Sequence, residues 1–180
     1  STDSNSTGVS SAPFIDLKID NLQWPQWPSQ DVNLIGGVHD DNYVIELQST
    51  LGDGVINIPQ DAAQAISLNM QSLELQKNES EEKIEPAIID PRKVRPFLFS
   101  SDLLKINDLN FKDVVVKSSA LETGLSFDEI KMAADDLTVV GTGTWQLFNS
   151  SSPTSSFDIQ LDSSDIEDSL IDLGFNSALR

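Results

Sequence analysis

His39 is the only histidine in the chain, and there is no cysteine. A Ser-His-Asp relay would therefore depend on one imidazole, and that ring lies in His39-Asp-Asp-Asn42, a polar turn sequence. No Gly-x-Ser-x-Gly elbow, P-loop or dinucleotide fingerprint occurs. Gly141-Thr-Gly143 lacks the third glycine and leads into Trp145 instead of a helix. Asp40-Asp41 and Asp135-Asp136 pair carboxylates, but among 29 acidic residues adjacent acids are expected on solvated turns. Asp162-Ser-Ser-Asp165-Ile-Glu-Asp168 has the wrong ligand spacing, and no central glycine, for a calcium loop; capping of a helix N-terminus explains it better. Without cysteine there is no disulfide, thiolate metal site or thiol nucleophile. The chemistry-bearing residues thus point away from an enzyme and call for no catalytic residue, metal or cofactor.

Composition narrows the partners. Against 29 acids stand 11 Lys and Arg, a net charge of −18. Nucleic acid and anionic bilayer surfaces both need a basic footprint and are poor partners for this chain. The hydrophobic fraction, 38%, is low for a globular domain of 180 residues. A single sheet with one apolar face needs fewer apolar residues than a two-layer sandwich. No apolar run approaches the roughly 20 residues of a membrane-spanning helix, and no signal peptide is present. The chain starts at Ser1 without Met and is expected to be a piece of something longer.

The elements read as strands. Ser1–Ala12 is a Ser/Thr/Asn-rich lead-in. Residues 13–180 form one β domain in two sheet segments, 13–76 and 97–180, joined by a charged, proline-rich loop over 77–96. The first segment alternates from Phe14 to Leu22 and stops at Trp24-Pro-Gln-Trp-Pro28. It resumes at Val32 and Leu34, bends or bulges at Gly36-Gly37, turns at His39–Asn42 and again at Gly52-Asp53-Gly54, and ends with Leu68–Leu75. In the second, Leu137, Val139 and Trp145 share a face with Gly141 and Gly143, which leave a gap in the side-chain layer, and Thr138, Val140, Thr142 and Thr144 take the other. Phe157, Ile159 and Leu161 alternate on a return strand after the loop Asn149–Pro153. A short helix follows, with Ile166, Leu170 and Leu173 as its stripe and Gly174 as its cap.

One pattern recurs four times: apolar-x-apolar-x-x-apolar-x-apolar. It occurs as Leu17–Trp24, Leu68–Leu75, Leu104–Phe111 and Leu125–Met132. Strict alternation would send the two apolar pairs to opposite faces. An extra residue at the x-x step, as in a β-bulge, keeps all four on one face and kinks the strand. Four kinked strands predict a strongly curved antiparallel sheet forming an open hydrophobic groove.

Gly141-Thr-Gly-Thr-Trp145, the strand Phe157-Asp-Ile-Gln-Leu-Asp162, and Ser164-Asp-(x)4-Leu170-(x)2-Leu173-Gly-Phe175 resemble the late repeats of YhdP-type members of the AsmA-like family. Asp90-Pro-Arg92 followed by Pro96 adds to the resemblance. It implies a Gram-negative envelope protein, anchored in the inner membrane by a helix this piece lacks. The family's periplasmic body is a β-groove conducting phospholipids between inner and outer membranes, in outer-membrane biogenesis. The implied partners are phospholipid acyl chains and the remainder of a longer chain. On this reading Ile106, Phe111, Phe127, Ile130, Met132, Val139, Trp145, Phe157 and Ile159 line the groove. The other reading is a structural or adhesion-type β module of an envelope protein, binding protein or carbohydrate through Trp24, Trp27 and the loops.

Overall fold

Alternation at period two becomes ten strands in the computed structural model, which describes residues 14–22, 29–75, 89–106, 109–148 and 152–164. They are β1 (Phe14–Leu22), β2 (Ser29–His39), β3 (Asn42–Ser49), β4 (Gly52–Pro59), β5 (Ile66–Leu75), β6 (Phe97–Ile106), β7 (Leu109–Leu121), β8 (Gly124–Ala133), β9 (Leu137–Gln146) and β10 (Thr154–Ser163). All ten belong to one open sheet in chain order, with β1 and β10 as its edges. Every neighbouring pair is antiparallel except β5 and β6, which run parallel from Ile66↔Phe97 to Leu75↔Ile106. A parallel step needs a long crossover, and 21 residues, 76–96, separate the two strands in sequence. The sheet is therefore mostly antiparallel, not wholly so.

The described end of that crossover is tied down at both sides. A single 3₁₀ turn, Pro91–Lys93, lies against β8 and β9, with Pro91 buried. Asp90 caps it by accepting the Arg92 N–H. Arg95 donates to the carbonyls of Pro59, Asp61 and Gln64, fastening the β4–β5 connection to the start of β6.

The four-fold repeat resolves into three different devices. Leu125–Met132 is a bulge: Phe127 faces Gly143 and Ile130 faces Gly141, so three steps on β8 match two on β9. Leu68–Leu75 is also bulged, because Met70 faces Gly54 while Ser72 faces Asp53, leaving Gln71 as the extra residue. Leu104–Phe111 is a correction to the bulge expectation. Ile106 faces Leu109 and Leu104 faces Phe111, so the two apolar pairs lie on separate antiparallel strands, β6 and β7. Along β1 the pairing with β2 keeps one register from Phe14 to Leu22, without a shift at Asp20-Asn21. A bulge the repeat did not mark occurs in β7, where Asp113 takes φ 51° and the register slips between Lys112 and Val115. Two glycine expectations also change. Gly36-Gly37 sits in regular pairing with β1 and β3. The turn falls at Thr50-Leu51, and Gly52 opens β4 with φ 155°.

Packing concentrates at one end of the sheet. Leu104, Phe111, Val114, Leu137 and Val139 form the buried cluster, with Leu73, Leu75, Phe99, Ile106, Leu109, Met132, Ala134 and Leu161 around it. The expected C-terminal helix (Ile166–Leu173), Trp24 and Trp27 lie outside the described residues.

Candidate functional site

Register fixes which side chains share a face, since directly paired residues point the same way. One chain of pairings crosses all ten strands: Ile15, Gly36, Ile45, Ile56, Leu68, Phe99, Val116, Ile130, Gly141, Ile159. It contains no polar side chain. A second row on the same face runs Leu17, Leu34, Leu47, Gly54, Met70, Ser101, Val114, and continues through Met132, Val139 and Leu161. Its one polar member, Ser101, is buried and donates its hydroxyl to the Leu103 carbonyl.

The matching row on the opposite face reads Asp16, Ile35, Glu46, Val55, Asn69, Ser100, Val115, Lys131, Val140, Gln160. Polar and β-branched residues mix there. That is the composition of a solvated sheet surface. Ion pairs between Glu74 and Lys105 at 2.9 Å, and between Glu129 and Lys117 at 2.5 Å, cross neighbouring strands on this side.

A third row on the apolar face is aromatic. Phe97, Phe127 and Phe157 stand on β6, β8 and β10, with ring centroids 6.2 Å and 5.3 Å apart. Small residues separate them. Ser118 of β7 exchanges hydrogen bonds with the Phe97 main chain, and Gly143 of β9 pairs with both Phe127 and Phe157. A Cβ on Gly143 would run into the Phe157 ring, and one on Gly141 would meet Ile159 Cδ1 at 2.5 Å. The gap expected at the two glycines is thus occupied by side chains leaning in from β10.

The nine residues expected to line a groove all fall on this face, but not alike. Phe111 is completely buried and Val139 nearly so, both inside the packed cluster. They present no surface to a ligand. Ile106, Phe127, Ile130, Met132 and Trp145 are half-buried. Phe157 and Ile159 are 49% and 41% exposed. Residues that reading the sequence overlooked include Phe97 and Phe99, and Leu34, Ile45, Leu47, Ile56 and Leu68 in the N-terminal half, all only half-buried. Their alternation was a usable signal.

Shallow open depressions lie on the polar side of β8–β10, between Ser126, Asp128, Thr142, Thr144, Ser156 and Asp158. Among the described residues no group of three His, Cys, Asp or Glu is placed to hold a metal ion. His39 is exposed at its turn, 3.3 Å from Asp40. Among the described residues the carboxyl with a clearly displaced pKa, Asp90, is structural. Hydrogen bonds from the Arg92 guanidinium at 2.9 and 2.8 Å, helped by the Arg92 N–H, hold the Asp90 pKa at about 2. Among the described residues no helix is long and apolar enough to cross a membrane.

Comparisons with family models, curated proteins and solved structures give no match.

Proposed function

We propose that this chain is a non-enzymatic segment of a periplasmic lipid-transport protein, holding phospholipid acyl chains against a bent apolar sheet. The observation that carries the proposal is the apolar row running without interruption from Ile15 to Ile159, over a face most of whose side chains are only half-buried. At about 4.8 Å per strand such a row is roughly 43 Å long, against roughly 15 Å for the acyl region of one leaflet. Each methylene withdrawn from water contributes about 0.8 kcal/mol. Ten methylenes on the face would therefore contribute about 8 kcal/mol.

Bulges bend the strand that carries them, so those in β5, β7 and β8 favour a trough over a flat slab. Within it Phe127, Ile130, Met132, Trp145, Phe157, Ile159 and Ile106 meet the chains, while Phe111 and Val139 hold the strands together. The mixed polar face and the charge of −18 keep the assembly in solution. The resemblance to YhdP-type proteins supports the same reading and supplies the envelope setting, with the anchor in another part of a longer chain. A fluorescent acyl-chain analogue titrated into the folded protein tests it. Saturable binding that Phe127→Glu weakens at least tenfold is the expected result. A closed β module that takes up no analogue would refute it.

A further inference from the structure

The outer edge of β10 differs from the other edge of the sheet. β10 pairs with β9 for ten consecutive residues, Thr154 to Ser163, without a register shift. It carries no lysine and no internal proline, the usual defences of an edge strand. β1 does carry a lysine, Lys18, and its pairing with β2 skips Asp20 and Asp31, the latter at φ 51°. All residues from Thr154 to Gln160 are exposed.

The sequence of β10 is close to a palindrome in polarity about Ile159. Asp158 mirrors Gln160, Phe157 mirrors Leu161, Ser156 mirrors Asp162 and Ser155 mirrors Ser163. An antiparallel pair related by a two-fold axis at Ile159 sets each residue against its mirror. Ile159 then meets its own copy, and Phe157 meets Leu161, on the apolar face. On the polar face each carboxylate meets a donor: Asp158 the Gln160 amide, Asp162 the Ser156 hydroxyl. No aspartate opposes an aspartate.

We propose that β10 is a self-complementary docking edge, and that two copies of this chain pair through it in antiparallel register centred on Ile159. A two-fold axis normal to the sheet keeps both apolar faces on the same side, giving one sheet of twenty strands. The interface is a single strand pair between two chains of charge −18, so association is weak and strengthens as salt screens the repulsion.

The natural absence of cysteine permits a register-specific test. Under mild oxidation Ile159→Cys should form a disulfide dimer, because directly opposed Cα atoms fall within bridging distance. Phe157→Cys alone should not, but an equimolar mixture of Phe157→Cys and Leu161→Cys should cross-link the two chains to each other. Sedimentation of the unmodified chain should show a dimer fraction that rises with concentration and with salt. Ile159→Lys should abolish it with the far-ultraviolet dichroism unchanged. A chain monomeric at every concentration and salt overturns the proposal. So does cross-linking by Phe157→Cys alone as efficient as by Ile159→Cys, or protection of the β10 edge amides from hydrogen exchange in the monomer.

Discussion

Phe111 and Phe157 show how little residue type alone reveals of role. Both are phenylalanines on the same face of one sheet, yet one is completely buried and the other 49% exposed. Phe111→Ala should cost about 3–5 kcal/mol in urea unfolding, the range for emptying a packed aromatic site. Phe157→Ala should cost roughly 1 kcal/mol, since about half of its burial is at stake. Gly143→Ala inserts a methyl where the Phe157 ring lies and should destabilise by about 1–3 kcal/mol. The same variant should loosen the Phe127–Phe157 contact. The glycines on the β9 face were legible from their alternation with Leu137, Val139 and Trp145. What fills the gap was not, because Phe157 and Ile159 reach it only through a pairing 14 to 18 residues away in the chain.

Asp90 makes a residue-scale prediction with a definite sign. Its folded pKa, about 2, lies below the ordinary carboxylate value, so its contribution to stability is present above that ordinary value and fades as pH falls toward about 2. Asp90→Asn should therefore lower the urea midpoint at neutral pH and have little effect near pH 2.

Among the elements, a single spacing proved to serve two purposes. Apolar-x-x-apolar at Phe127–Ile130 is a bulge, and at Ile106–Leu109 it spans the step from β6 to its antiparallel neighbour β7. Both keep the flanking apolar residues on one face, so periodicity cannot separate them. Asn107-Asp108 is good turn chemistry, and that was the signal available. The parallel pairing of β5 with β6 left no local trace, since nothing within either strand names its partner across the crossover. Deleting one residue at Asp128-Glu129 should remove the bulge and leave Phe127, Ile130 and Met132 on the apolar face in plain alternation, so cooperative unfolding should persist. At the β7 bulge, Asp113→Gly should be nearly neutral, whereas Asp113→Val should cost roughly 1–3 kcal/mol at φ 51°.

For the whole molecule, ten strands sort their side chains so that one face is apolar from edge to edge and the other is mixed and charged. The mainly β class and the shared face of the apolar strands could be read from alternation, and the low apolar fraction fits a single sheet. Phe97, Phe127 and Phe157 form a row only once β6 through β10 are paired, so no window of sequence contains it. The most direct test of acyl-chain binding is native mass spectrometry of the folded chain after incubation with phosphatidylethanolamine and phosphatidylglycerol vesicles. Retained phospholipid on the wild type, lost in Phe127→Glu and Trp145→Glu with the strand dichroism preserved, is the predicted result. A lipid-free wild-type chain, or one whose lipid load the two glutamates leave unchanged, would contradict it.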